Sequence, residues 1–265
     1  MKTISKIYSS IIFIFLYAPI LVLIIFSFND SKSRVSWSGF TFKWYMRLFE
    51  DKQILNALSN TIIIAIVSAA VATIIGTIAA IGIMSLNKHL KKIFMNITNL
   101  PMANPEIVTG VSLMLLFVFL FEKFNLFKPG MLTLILAHTT FCLPYVILSV
   151  MPKLRQMDSH LYEAAQDLGC TPFKAFVKVV IPEIMPGIIT GVMMSFTLSI
   201  DDFVISYFVS GTTQTLPIAI YSMTRKIVSP EINALSTILF LTVLVLLVLI
   251  NLRQIKDKKL ELKGR

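Results

Sequence analysis

Hydrophobic positions in this chain are gathered into runs, with polar and charged residues collected between them. Six apolar segments stand out, at about residues 7–28, 60–86, 93–121, 130–151, 185–208 and 232–252. Each is long enough to cross a hydrocarbon core of ~30 Å at the ~1.5 Å rise per residue of an α-helix. The pattern predicts an all-α integral membrane protein of six transmembrane helices, a single membrane domain over residues 1–265. An even number of spans puts both termini on the same side.

The third segment is too long for one uninterrupted span, and Pro101 and Pro105 interrupt it in Leu100-Pro101-Met102-Ala103-Asn104-Pro105-Glu106. Asn104 as cap, Pro105 at the first helical position and Glu106 just after it predict a helix start inside the membrane. The first segment follows Lys2 and Lys6, exceeds the apolar core of a signal peptide, and ends in Phe28-Asn29-Asp30. It reads as an uncleaved first helix.

Composition sharpens this picture. The chain is 56% hydrophobic with a mean hydropathy of +0.80, and only 14% of its residues are charged, against about 25% in a soluble domain. The net charge of +10 does not point to nucleic acid. The basic residues sit in loops and at segment ends, with no basic face interleaved with stacking aromatics. With the N-terminus inside, fifteen of the 24 Lys and Arg fall on the cytoplasmic side and nine outside, as the bias of positive charge toward the cytoplasm requires. Cys142 and Cys170 have no metal-ligand spacing and predict no disulfide.

Two loops carry the remaining information. Loop 29–59, outside, holds Trp37, Trp44 and Tyr45, and predicts a short amphipathic helix on the membrane surface with its aromatic rings as interfacial anchors. In loop 152–184, inside, Asp158 or Ser159 can cap a helix running to about Leu168, with Gly169 as a left-handed stop. Thr171 and Pro172 open a second helix. Phe173, Phe176, Val177 and Val180 make one apolar stripe on it, and Pro182 ends it. This helix-turn-helix in a cytoplasmic loop presents apolar surface that needs a partner.

Three carboxylates, Glu106, Asp201 and Asp202, fall inside apolar segments. There a charge costs roughly 2.5–3.5 kcal/mol and usually faces a water-filled pathway. Helical neighbours point ~100° apart, so one of Asp201 and Asp202 can face the pathway while the other meets a neighbouring helix or polar backbone. Glu106 either joins the path or complements its helix dipole. No Lys or Arg lies well inside a span, so an acidic path suits a cationic substrate. Tyr207 and Tyr221 can add cation–π faces or anchor at the interface, and His138 reads as a packed, hydrogen-bonded neutral histidine. The sequence has no G-x-x-x-x-G-K-[ST] loop, no H-E-x-x-H, no G-x-S-x-G and no paired metal ligands. The chain therefore reads as a transport path rather than an enzyme, with no cofactor of its own.

Glu163-Ala164-Ala165, then Gly169, then Val179-Val180-Ile181-Pro182 resembles the EAA signature of ABC importer permeases, departing from Ile-x-Leu-Pro only by Val179 and Ile181. The resemblance implies a type I ABC importer permease fold whose coupling helix docks in a groove of a separate ATPase. Glu163 would pair there with a basic group, and Gly169 would allow the tight turn. It also implies that ATP and magnesium belong to that ATPase.

Further stretches are similar to the permeases of spermidine/putrescine ABC importers. They are Tyr17-Ala18-Pro19, Phe26 to Asn29, Phe40 to Tyr45, His138 to Tyr145, Ser195 to Phe203, Leu216-Pro217, Ile220 to Met223 and Val228 to Ala234. Glu106 stands where Asp is expected. That similarity implies a bacterial inner-membrane heterodimer with a PotB-like second permease. Two copies of a PotA-like ATPase and an extracytoplasmic PotD-like polyamine-binding protein would complete the assembly. An ABC permease for another small cationic or metal-linked substrate shares the coupling motif, whereas a channel or secondary transporter has no use for its spacing.

Overall fold

Each apolar run is helical in the computed structural model, which describes residues 2–31, 36–158, 160–225 and 230–263. Lys32, Arg34, the alternative cap Ser159, Lys226, Val228-Ser229 and Arg265 lie outside the described residues. The helices are α1 (Lys2–Phe26), α2 (Lys43–Glu50), α3 (Lys52–Ser85), α4 (Lys88–Ala103), α5 (Glu106–Phe124) and α6 (Met131–Gln156). They continue with α7 (His160–Asp167), α8 (Pro172–Ala175), α9 (Ile181–Asp201), α10 (Val204–Val209), α11 (Leu216–Arg225) and α12 (Glu231–Lys263). Among the described residues five stretches are long and apolar enough to cross a membrane: Tyr8–Phe26, Lys52–Ser85, Glu106–Phe124, Met131–Gln156 and Pro172–Asp201. The sixth apolar run opens α12, where Glu231–Val245 is apolar but shorter.

Two local expectations are corrected. Pro182 does not end the second helix of loop 152–184. Phe176–Val180 forms a π-helical turn, in which the Ile181 N–H reaches the Phe176 carbonyl, and α8 runs through it into α9. A proline in a helix lacks an N–H and crowds the carbonyl four residues back, and the wider turn relieves both problems. At the third apolar run the break falls where expected, but Asn104 does not cap α5. It closes α4 in extended conformation, as the residue before a proline must, and Pro105 occupies the cap position with its carbonyl accepting from the Val108 N–H. Pro101 sits inside α4 without ending it.

The chain divides into two compact units, Met1–Leu58 with Leu216–Val245, and Ser59–Thr215 with Leu246–Arg265. In the first, Asn29 is buried and organises the segment after α1. Its amide oxygen accepts from the Ser38 N–H (2.9 Å), its amide NH2 donates to the Ser36 carbonyl (2.8 Å), and its backbone carbonyl accepts from Trp44 Nε1 (2.7 Å). Trp44 is 1% exposed and packs with Leu48, Ile54, Leu216, Ala234 and Leu235. The expected interfacial anchor is therefore a core residue. The period of α2 is what turns Trp44 and Leu48, four residues apart, to the same inner face. Trp37 remains half-exposed, and the Tyr45 hydroxyl pairs with that of Ser27 (2.7 Å).

The second unit is built on α6 against α9. Gly187, Gly191, Ser195 and Ser199 recur every four residues on α9, all buried. This is the small-residue stripe that lets membrane helices approach closely. A side chain at Gly187 would meet the Ser149 carbonyl oxygen at 2.8 Å, and one at Gly191 would meet Val146 at 3.3 Å. Helix α5 packs on α10 in the same way, with Gly110 against Phe208. The Thr133 hydroxyl, 2.8 Å from the Val209 carbonyl, ties the start of α6 to the end of α10.

Candidate functional site

Two helices of the second unit are interrupted, and each interruption carries a carboxylate. At the first, α4 closes at Ala103 and α5 begins with Glu106. At the second, α9 closes at Asp201, Asp202 leaves in extended conformation, and α10 starts again at Val204. The restarted helices α5 and α10 pack on each other, and both breaks belong to the same unit. Broken helices at membrane depth are tolerated where their backbone is buried in protein or lines a water-filled cavity.

The two neighbouring aspartates are divided by the break. Asp201 is exposed and Asp202 buried. One Asp202 carboxylate oxygen accepts from the Ser206 N–H (2.8 Å) and the other, weakly, from the Ile205 N–H (3.4 Å). Asp202 thus caps α10 in the manner of an N-terminal aspartate. Its Oδ2 also lies 3.5 Å from His138 Nε2. His138 is 2% exposed, with Nδ1 2.6 Å from Ser199 Oγ and Nε2 2.8 Å from Ser206 Oγ. Ser199 Oγ in turn lies 3.2 Å from Ser68 Oγ on α3.

Sequence reasoning did not single out Ser68, Ser199 or Ser206. Four-residue spacing of Gly187, Gly191, Ser195 and Ser199 was the available signal for Ser199, since small residues at that period mark a buried face.

Asp201 and Glu106 meet opposite local fields. Glu106 opens α5 at the positive end of the helix dipole, whereas Asp201 sits at the negative end of α9. An ionised Asp201 therefore adds a full negative charge to a partial one, an arrangement that attracts a cation. Tyr207, half-exposed on α10, packs against Phe203 and Phe208 at ring distances of 5.5 and 5.7 Å. Tyr221 belongs to the other unit, where the Arg225 guanidinium lies over its ring at 5.3 Å.

Loop 152–184 has the predicted turn. Helix α7 is stopped by Gly169 at φ +86°, where the Gly169 N–H returns to the Gln166 carbonyl (2.8 Å) and the Cys170 N–H to the Ala165 carbonyl (3.1 Å). This is the paired closure of a left-handed helix stop. Thr171 stands at the N-cap of α8 with Pro172 next. Glu163 and Ala164 are exposed and Ala165 half-buried. Leu168 at 87% and Phe173 at 75% exposure stand out beside them, while Val180 of the expected stripe is buried.

Known proteins resemble this chain throughout. Residues 72–260 match the model of the family described as "Binding-protein-dependent transport system inner membrane component". The putrescine transport system permease protein PotI of Escherichia coli (strain K12) is 44% identical over 230 residues, covering 86% of this chain and 82% of that one. The spermidine/putrescine transport system permease protein PotC of the same strain is 39% identical over 238 residues, covering 89% and 88%. Among solved structures, a chain of a bacterial ABC transporter that imports the acidic polysaccharide alginate superposes with a TM-score of 0.72, covering 94% of this chain and 95% of its own length at 14% identity. An amino acid ABC transporter gives 0.58, with 82% and 99% covered at 20% identity. The all-helical architecture is thus that of ABC importer permeases, and the chain belongs to the family of binding-protein-dependent transport system inner membrane components.

Proposed function

We propose that this chain is one of two permease subunits of an ABC importer, and that the pair forms the translocation path for polyamines. The observation that carries the substrate is the placement of Glu106 and Asp201 at two helix breaks of one unit, with Asp202 behind Asp201 and no Lys or Arg well inside a span. A polyamine is a short, flexible polycation, and paired acidic positions along its route lower the cost of leaving water. Tyr207 adds an aromatic face beside the second break, whereas the Tyr221 ring already carries the Arg225 guanidinium. The resemblance to PotI and PotC supports the same substrate class. That the same fold serves an acidic polysaccharide in the alginate importer fits a selectivity held in side chains rather than in the architecture.

In this reading both termini are cytoplasmic in the bacterial inner membrane, a second permease completes the path, and an external binding protein delivers substrate. Two copies of a partner ATPase carry ATP and magnesium, and Glu163, Ala164, Ala165, Gly169 and Pro182 belong to the surface that couples to them. Closure of the ATPases on ATP moves α7 and α8, the continuous α8–α9 helix transmits the movement to the break at Asp201, and the path alternates its access.

Uptake of labelled spermidine and putrescine by cells expressing the complete transporter tests the path. Asp201→Asn and Glu106→Gln are expected to lower uptake by about ten- to a hundredfold, the scale of one lost charged contact. Assembly should be retained. Normal uptake by both variants would remove the acidic path. The coupling turn has its own test. A valine at the φ of +86° held by Gly169 costs roughly 1–2 kcal/mol in the left-handed region. Gly169→Val is therefore expected to leave the permease inserted while reducing co-purification of the ATPase by about tenfold, and undiminished co-purification would count against this turn as the docking element.

A further inference from the structure

The buried polar groups around Asp202 form a connected set drawn from four helices. Ser68 of α3 donates to the Ile64 carbonyl (2.6 Å) and stands 3.2 Å from Ser199 of α9. Ser199 meets Nδ1 of His138 on α6, and Nε2 of the same ring faces both Ser206 of α10 and the Asp202 carboxylate. With its proton on Nε2, the neutral ring donates to Ser206 Oγ at 2.8 Å with the Asp202 carboxylate 3.5 Å away, and Nδ1 accepts from the Ser199 hydroxyl. Every polar atom of the imidazole then has a partner, in a region where an unpartnered one is costly.

This set grips both sides of the break. Ser199 lies in the last turn of α9 and Ser206 in the first turns of α10, while Asp202, between them, caps α10 through the Ile205 and Ser206 N–H groups. The direction in which the exposed Asp201 leaves α9 is set by that last turn. His138 touches both helices and the carboxylate.

The geometry points to a positioning role for His138, Ser199 and Asp202: they clasp the interrupted end of α9 to α6 so that Asp201, and not Asp202, presents its charge to the passing substrate. The inference rests on the acidic path proposed above and divides its two neighbouring aspartates into a substrate-facing residue and a structural capping residue. Asp202 then matters for its hydrogen-bonding shape more than for its charge.

That distinction is measurable. Asn caps a helix about as well as Asp, and an asparagine whose amide oxygen takes the place of Oδ2 still accepts from the Ser206 N–H and faces His138 Nε2. Transport of labelled spermidine and putrescine is measured per ATP hydrolysed, with the complete complex in liposomes. Asp202→Asn is expected to stay within about twofold of wild type, whereas Asp202→Ala and His138→Ala lose about tenfold, the scale of one lost buried charged hydrogen bond. Ser199→Ala, which removes only a hydroxyl, is expected to fall in between and serves if His138→Ala does not assemble. ATPase activity and assembly should hold while transport per ATP falls. An Asp202→Asn loss as deep as that of Asp201→Asn would make Asp202 a substrate contact and overturn the clasp. Loss of ATPase activity and assembly in step with transport in all the variants would overturn it too, leaving plain folding residues, as would wild-type coupling in His138→Ala and Asp202→Ala. Normal transport by Asp201→Asn, by contrast, would bring down the path itself, and the clasp with it.

Discussion

Gly187→Val is expected to abolish folding of this permease, and Gly187→Ala to lower its thermal midpoint clearly. A Cβ at this position would lie 2.8 Å from the Ser149 carbonyl oxygen, 3.1 Å from Val150 Cα and 3.1 Å from Lys153 Cγ. Two of those three atoms belong to backbone, which cannot swing aside like the tip of a flexible side chain. Helix α9 must then move off α6, and in lipid no hydrophobic force between helices compensates for the lost van der Waals contact. Overpacking by one methyl typically costs about 1–3 kcal/mol, and valine adds two more carbon atoms against the same backbone. Gly191→Ala is expected to be milder, because its nearest neighbours are Val146 Cα and Cγ1 at 3.3 Å. Gly82 provides the control. Nothing lies within 4 Å of its would-be Cβ, and alanine there gains up to about 1 kcal/mol of helix propensity. Thermal unfolding in detergent, followed by the fraction remaining monodisperse, separates the three. Gly187→Ala as stable as Gly82→Ala would show that α6 and α9 are not closely packed at this point.

Trp44→Ala is expected to remove about 3–5 kcal/mol from the first unit, the usual cost of emptying an aromatic site. The indole is 1% exposed, contributes to the core around Leu216 and Leu235, and donates to the Asn29 carbonyl at 2.7 Å. Its removal leaves a cavity and strips a partner from the residue that organises the turn after α1. Trp44→Phe keeps most of the volume and loses the N–H, so it should cost only about 1–3 kcal/mol, the penalty of one unpaired buried group. The ion pair beside it weighs far less. Arg47 and Glu231 approach to 3.6 Å with side chains 47% and 24% exposed, and an exposed pair of this kind contributes about 0–1 kcal/mol. Arg47→Ala should therefore be nearly silent, apart from the guanidinium stacked at 5.3 Å over the Trp44 ring. Protease resistance of the segment after α1, compared across the three variants, reads the order directly. A Trp44→Ala protein as resistant as Arg47→Ala would return the indole to the membrane surface.

What could be read from residues alone was local. Six long apolar runs, the break before Glu106 and the left-handed stop at Gly169 depend on chain length, proline chemistry and φ preference within a few residues, and none requires knowledge of the rest of the fold. The acidic residues within those runs were equally visible, because a charge in an apolar run is conspicuous wherever the run is placed. Even the sharp error at Pro182 was a local judgement, overturned by a π-helical turn that the residues before it can adopt when α9 has a helix to pack on.

Tertiary structure decided the matters of direction and partnership. Sequence spacing showed only that Asp201 and Asp202 point apart. Burying Asp202 took His138, 64 positions earlier, together with the N–H groups of α10, and a carboxylate turns inward only where such donors wait for it. Trp44 followed the same logic in apolar form. An indole at a membrane surface and an indole in a core have the same neighbours in sequence, and the core residues Leu216 and Leu235 lie far along the chain. Long-range contacts are absent from any window of sequence, and they determine which of two chemically similar residues stays exposed and which one is buried.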